Sequence, residues 1–281
     1  MADEVALEEL AARAVDGDRD ALEALCLRLQ HYVYRLALRF FSHPHDAEDA
    51  SQEIMIAVLA DLGRFQGRSK LTTWVYTIAT RHLLRARAGR LETLVQGPEP
   101  FAEFLDRNLA DDSRDETASE AEYRLLCAEV RIACTYGMLL SLSRELRITY
   151  LLGDLFGFTD AEGAAALGVT PAAFRQRLSR ARRVMRGIIE RRCGLVDEHN
   201  PCRCGRQVRP SIEHGILDPD RLVFATHPGV DSPIVTDTLE RAASQLDVVE
   251  AMAEIYRSDP PFQAPAAVWE RIRQAAPDLL A

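Results

Sequence analysis

Residues 158–192 read FTDAEGAAALGVTPAAFRQRLSRARRVMRGIIERR. This stretch carries the start and stop signals of two helices joined by a short turn. Thr159 and Glu162 form the T-x-x-E pattern of a capping box, in which a hydroxyl and a carboxylate bond the free backbone N–H groups at a helix start. The pattern predicts a first helix over residues 160–167.

The turn that follows is about three residues long. Gly168 tolerates the positive φ at which many helices end, and Thr170 offers an N-cap oxygen to a second helix. Pro171 suits the first position of that helix, where its missing N–H costs nothing. Two helices joined by so short a turn indicate a helix-turn-helix.

The second helix has an apolar face and a basic face. Apolar residues recur with helical spacing on one side, and we expect this stripe to face the core: Phe174, Leu178, Ala181, Met185 and Ile188. Between Pro171 and Arg192 there are eight arginines and a single acid, Glu190, in a chain of net charge −9. An arginine-rich helix face is often merely solvated, but an excess this local in an acidic chain favours DNA binding.

The first turns of such a helix enter the major groove, while later arginines contact phosphates. Four residues could therefore reach base edges: Ala172, Arg175, Gln176 and Ser179. Three further arginines lie on the same face or its flanks: Arg177, Arg180 and Arg183.

The rest of the 281-residue chain is rich in Ala, Leu, Arg and Glu, which favour helices, so we expect an all-α protein of two or three small domains. The sequence begins MADEVALEEL, which has neither the basic nor the apolar part of a signal peptide, and no apolar run approaches the ~20 residues of a membrane span. We therefore expect a cytoplasmic protein without a membrane partner. No catalytic motif is evident, so we do not expect an enzyme.

A helix predicted to begin at an N-cap Asp46 carries an acidic face. Asp49 and Glu53 share that face with Ile56, so carboxylates surround an exposed isoleucine. Charged rims around apolar spots are typical of protein-binding surfaces, although a solvated acidic face would show the same spacing.

Next come a basic, glycine-containing loop over residues 64–70 and a helix over residues 71–90 that carries both aromatic and arginine side chains. Aromatic groups among cations suit unpaired bases, whose stacking is worth ~1–3 kcal/mol per base. The candidate residues are Phe65, Arg68, Ser69, Lys70, Trp74, Tyr76, Arg81 and Arg85. Trp74 alone would more readily be a core residue, and the combination carries the prediction.

Several motifs resemble the extracytoplasmic-function (ECF) sigma factors of bacterial RNA polymerase. Residues 46–53 (DAEDASQE), 64–67 (RFQG) and 73–79 (TWVYTIA) resemble sigma region 2. Four further segments resemble sigma region 4: residues 142–147 (LSRELR), 157–159 (GFT), 164–169 (AAALGV) and 177–182 (RLSRAR). Gly163 departs from the pattern, because a branched apolar residue is usual there, and should loosen its helix by up to ~1 kcal/mol relative to alanine.

The resemblance implies a dissociable subunit that directs core polymerase to promoter DNA. It implies that Asp46, Asp49, Gln52 and Glu53 contact the clamp helices of the largest polymerase subunit. The basic loop and following helix would hold the opened −10 element, and the helix from Pro171 would read the −35 duplex. An anti-sigma protein is a further partner that the family suggests.

The implied domains are region 2 over residues 1–90, an acidic linker over 91–118, region 4 over 119–192 and an extension over 193–281. Pro, Gly and a dense acidic run give residues 91–118 linker composition. Either a solvated tether or a segment that mimics nucleic-acid charge fits this composition.

The extension has three cysteines and a histidine within twelve positions: Cys193, His199, Cys202 and Cys204. Zinc accepts such ligands, with His214 as an alternative fourth, but reduced structural thiols or a redox pair fit equally. Two helices are predicted further on, over residues 236–257 and from Ala264-Pro265. We hypothesise that this tail regulates the protein in cis.

Two other readings fit parts of the sequence. A free-standing helix-turn-helix regulator with a metal- or redox-sensing tail would need a dimer surface and no polymerase. An enzyme with catalytic zinc ranks far lower, because no general base lies at useful spacing from the cysteines.

Overall fold

The computed structural model describes residues 2–95, 97–110, 119–227 and 247–280. Within these ranges the chain forms twelve α-helices and no β-strand, which confirms the all-α prediction. The helices are α1 (Ala2–Val15), α2 (Arg19–Phe41), α3 (Pro44–Asp61), α4 (Leu71–Arg85), α5 (Pro98–Arg107), α6 (Glu120–Ser141), α7 (Arg144–Tyr150), α8 (Asp160–Leu167), α9 (Pro171–Ile189), α10 (Cys204–Glu213), α11 (Val248–Arg257) and α12 (Ala266–Ala275).

Backbone contacts divide the chain into two compact units. Unit 1 comprises Met1–Arg90, Phe158–Arg175 and Gln263–Ala281, and unit 2 comprises Leu91–Gly157 and Gln176–Phe262. Helices α8 and α12 thus belong with the N-terminal helices, while α11 belongs with α5, α6 and α7. The domain boundaries drawn from the sequence stay a prediction about family regions, since contacts group the chain differently.

Helices α1 to α4 form the centre of unit 1. The Asp18 carboxylate caps α2 by accepting the Ala21 N–H at 3.0 Å. Helix α3 begins at Pro44, three residues before the predicted start, because His43 is extended and proline takes the first turn. Asp46 is therefore not the N-cap; its carboxylate accepts the backbone N–H of Arg90, beyond the end of α4, at 2.8 Å.

The helix-turn-helix matches its prediction closely. Glu162 N–H bonds the Thr159 hydroxyl at 3.3 Å while the Glu162 carboxylate accepts the Thr159 N–H at 2.9 Å, so both halves of the capping box are present. Gly168 ends α8 at φ 64°, and the Thr170 hydroxyl accepts the Ala173 N–H at 3.2 Å. All five residues of the expected apolar stripe of α9 are buried.

In unit 2 the extension packs around α6. The buried carboxylate of Glu129 accepts four hydrogen bonds of 2.7–3.1 Å from the backbone N–H groups of Val223, Phe224 and Ala225. Arg131 pairs with Asp259 at 3.0 Å, and neither side chain is exposed to solvent. These described parts of the extension therefore contribute to the core of unit 2.

Part of the predicted linker is ordered structure. Residues 98–107 form α5, and the Glu92 carboxylate lies 2.8 Å from the Arg144 guanidinium and 2.9 Å from that of Arg147. Residues 111–118, the dense acidic run, lie outside the described residues.

Candidate nucleic-acid and polymerase interfaces

The basic face of α9 reaches solvent. Of the seven residues predicted to contact the −35 duplex, six are exposed and Arg177 is half-buried. Arg175 pairs with Asp160 across the helix-turn-helix at 3.2 Å, a contact in which both side chains are well exposed. Arg182, on the same helix, bonds the buried Asp154 carboxylate at 2.5 Å and so fixes the helix to the residues before α8. The helix thus presents a row of exposed arginine side chains.

The basic loop before α4 is likewise exposed at Arg68, Ser69 and Lys70. Phe65 and Trp74 lie side by side, half-buried, with ring centroids 5.5 Å apart. The structure therefore brings together an aromatic pair and a cationic loop, the combination that suits unpaired bases. Two further candidates, Arg81 and Arg85, are exposed on the same helix.

Tyr76 is placed differently from its prediction. Its ring is only 4% exposed and stands edge-on to Phe158 at 5.5 Å. The neighbouring Thr80 hydroxyl donates to the Ala166 carbonyl at 3.1 Å. Helix α8 and the residues before it thus cover this side of α4, a contact between distant segments for which the sequence carries no local signal.

The acidic face of α3 is partly open. Asp49 and Glu53 are exposed, and Gln52 and Ile56 are half-buried. Asp46 shares the face but is held by Arg90, whose Nε lies 3.6 Å from the carboxylate. Four of the five predicted polymerase-contacting residues therefore retain surface for a partner.

Five of the six cysteines line one cavity of about 210 Å³ in unit 2: Cys127, Cys134, Cys193, Cys202 and Cys204. Gly194 N–H donates to the Cys202 carbonyl at 2.9 Å, so the two segments that carry Cys193 and Cys202 are paired by an isolated β-bridge. Burial raises the pKa of Cys202 to about 11 and also raises the pKa of Cys193 and Cys204, so these thiols stay protonated at neutral pH.

His199 does not share this environment. Its side chain is 85% exposed and pairs with Asp197 at 2.9 Å, a contact that raises the pKa of the imidazole. Across the described parts of the chain, no group of three or more His, Cys, Asp or Glu side chains could hold a metal ion as the side chains stand. Sequence spacing pointed to His199, whereas the fold places Cys134 of α6 beside the extension's thiols.

No helix in the described ranges is both long enough and apolar enough to span a bilayer.

Comparisons with known proteins match two parts of this chain to family models. Residues 25–90 match the model of Sigma-70 region 2, and residues 132–185 match that of Sigma-70 region 4. The RNA polymerase sigma-H factor of Pseudomonas aeruginosa is 30% identical over 180 residues, which cover 62% of this chain and 89% of that protein. The ECF RNA polymerase sigma-E factor of Escherichia coli is 28% identical over 186 residues, 65% of this chain and 93% of that protein.

Among solved structures, CnrH in complex with the cytosolic domain of CnrY is 20% identical, with a TM-score of 0.48 over 66% of this chain and 97% of that one.

The matching regions, in order and separated by a linker, define a non-catalytic subunit class of bacterial transcription. The chain belongs to the sigma-70 family, in its ECF group. Its extension lies beyond residue 185, where the family models end.

Proposed function

We propose that this protein binds core RNA polymerase and directs it to specific promoters. The observation that carries the proposal is the exposed cationic face of α9, set on a helix-turn-helix within the matched region 4. Helix α9 holds six arginines and no acidic residue, so the face is suited to a polyanion.

Within that function the two DNA-facing surfaces have different tasks. Helix α9 reads the −35 duplex, with Arg175, Gln176 and Ser179 at base edges and the later arginines on phosphates. The loop through Lys70 and the aromatic pair of Phe65 and Trp74 hold unpaired bases of the −10 element. Opening the duplex costs pairing and stacking energy, which stacking on protein and phosphate neutralisation offset.

The acidic face of α3 is the proposed contact with core polymerase. Its exposed carboxylates, Asp49 and Glu53, flank the half-buried Ile56, an arrangement that combines steering charge with an apolar contact. An anti-sigma protein would compete for the same surfaces. The protein itself makes no bonds, since polymerase performs the chemistry, and it acts where polymerase acts, in the cytoplasm.

Transcription from a promoter library with purified core polymerase tests this function. We expect defined start sites when the chain is added and none with core alone. A free-standing helix-turn-helix regulator would bind DNA but support no initiation, so DNA binding without transcription would favour that alternative.

Zinc in the extension stays a proposal. It is supported by the common cavity of Cys193, Cys202 and Cys204, with Cys134 nearby, although the side chains would have to move to bind. Metal analysis of protein purified without added zinc tests it. Stoichiometric zinc that is lost in Cys202→Ser supports the proposal, and a metal-free wild type contradicts it.

A further inference from the structure

Helix α12 is docked on the predicted polymerase-binding helix. The Arg271 guanidinium bonds the Asp49 carboxylate at 2.9 Å and that of Glu48 at 3.3 Å. Val268 and Ile272, on the same side of α12, are completely buried, and Trp269 is 7% exposed. An apolar stripe and one arginine that bonds two carboxylates therefore hold α12 against the other helices of unit 1.

The docked arginine engages a residue of the acidic face itself. Asp49 is one of the two exposed carboxylates proposed to contact polymerase, and Arg271 supplies it with the charge that a protein partner would supply. While α12 is in place, a cationic partner must displace Arg271 to reach that carboxylate.

Helix α11 stands in a similar relation to α9 within unit 2. Its N-cap residue, Asp247, lies 3.6 Å from the Arg186 guanidinium. The cleft between the two helices is lined by Ser179, Arg182, Arg183 and Arg186 on one side and by Asp247, Val249 and Glu250 on the other. Acidic groups of the tail thus face the row of arginines proposed to contact DNA.

The tail therefore carries the opposite charge to each surface that it meets. We propose that α11 and α12 mask the DNA-facing side of α9 and the polymerase-facing side of α3, and that promoter-directed activity requires their release. The inference rests on the proposed function, because only that function gives the two faces their partners.

The contacts suit a reversible mask. Arg271 is 32% exposed and Asp49 is 52% exposed, and the Arg186 and Asp247 side chains are 44% and 61% exposed. Ion pairs at such sites are weak and sensitive to salt. Burial of Val268, Trp269 and Ile272 therefore provides most of the free energy that docks α12. A partner able to replace the charge contacts can compete with Arg271 for the acidic face of α3.

The first test uses the full chain and core polymerase. Arg271→Glu places a carboxylate against Asp49 and Glu48, so we expect core binding to tighten about three- to tenfold, the factor that corresponds to losing an ion pair and adding like-charge repulsion. Arg209→Ala is the matched control, since that arginine pairs along its own helix, with Glu213 at 3.2 Å.

The second test concerns DNA. Asp247→Asn removes the charge but keeps a good N-cap, as the Asp247 carboxylate now accepts the Val249 N–H at 2.6 Å. We expect affinity for promoter DNA to rise about two- to fivefold at low salt, with a steeper salt dependence. Glu254→Gln is its control, because Glu254 pairs with Arg257 of the same helix at 2.9 Å.

Each half can be overturned separately. If Arg271→Glu binds core polymerase no tighter than the wild type or Arg209→Ala, α12 does not mask the polymerase-facing side of α3. If Asp247→Asn and Glu254→Gln bind DNA with the same affinity, α11 does not mask the DNA-facing side of α9. If the wild type supports transcription and neither variant binds its target more tightly, the masking inference is wrong and the proposed function is unaffected. Failure of all forms, including the wild type, to bind core would remove the proposed function.

Discussion

Phe174 occupies the space that a side chain at Gly163 would need. A Cβ atom built at position 163 would lie 2.3 Å from both Cε2 and Cζ of the Phe174 ring, which is itself completely buried. The glycine that departs from the family pattern is thus the residue that lets α8 and α9 pack this closely.

We expect Gly163→Ala to lower the free energy of unfolding by about 1–3 kcal/mol, because the ring cannot move without disturbing the core. Helix propensity alone predicts the opposite sign. Urea unfolding measures the difference. Gly187→Ala is the control, since nothing lies within 4 Å of a Cβ at that exposed helical site, and there we expect a gain of up to about 1 kcal/mol.

The buried Glu129 carboxylate should be essential to the extension. In Glu129→Gln the amide NH₂ would face the N–H groups of residues 223–225 and leave buried donors unpaired, which we expect to cost about 1–3 kcal/mol. Amide hydrogen exchange at residues 223–225 should rise in parallel. The exposed Glu103, paired with Arg107 at 2.8 Å, provides the control Glu103→Gln, for which a change above about 0.5 kcal/mol would contradict the argument.

Docking of α12 should weaken in acid through His31. The imidazole Nδ1 accepts the Ala264 N–H at 3.0 Å, just before α12, and burial and then the nearby Arg35 lower the pKa of His31. Because docking lowers the pKa of His31, the neutral imidazole stabilises the docked state at neutral pH. This stabilisation is lost as the pH falls below the ordinary histidine pKa of 6.5 and through the lowered pKa of His31.

Trp269 reports this change. In a Trp74→Phe background it is the single tryptophan, and its emission should shift to the red as pH falls from about 7.5 to about 5.5. His31→Asn keeps an acceptor that does not titrate in this range, so its emission should stay constant. Equal shifts in both proteins would assign the effect to groups other than His31.

Base reading and phosphate contact should separate on α9. Gln176→Ala should cost about 1–3 kcal/mol at one −35 base pair and relax specificity there. Arg180→Ala should weaken all promoters alike and reduce the salt slope by about 1. Binding of holoenzyme to a set of single-substitution promoters at two salt concentrations distinguishes them. An identical pattern for the two variants would contradict the proposed orientation of the helix.

The exposure of the aromatic residues on α4 was predictable only in part. The sequence grouped Trp74 and Tyr76 as candidates for base contact, yet Trp74 is half-buried beside Phe65 and Tyr76 is almost fully covered. Phe158 covers Tyr76 from a segment about eighty residues away in sequence. Helical periodicity identifies faces, and it does not say which face a distant segment will cover.

The cysteines make the same point about the candidate metal site. Spacing within residues 193–204 grouped His199 with three thiols, because both lie in one short stretch. In the structure His199 turns to Asp197 and solvent, while Cys134, sixty residues earlier, lines the thiol cavity. A ligand set drawn from one stretch could not include a residue of α6.

The sequence by itself determined where α8 and α9 begin, which stripe of α9 is buried and to which family the chain belongs. Those features depend on caps and spacings of three or four residues, so local chemistry suffices. Only the tertiary structure decided which charges remain available. The bond from Arg271 to Asp49 joins residues 222 positions apart, and no local rule relates two such positions until the chain has folded around its core.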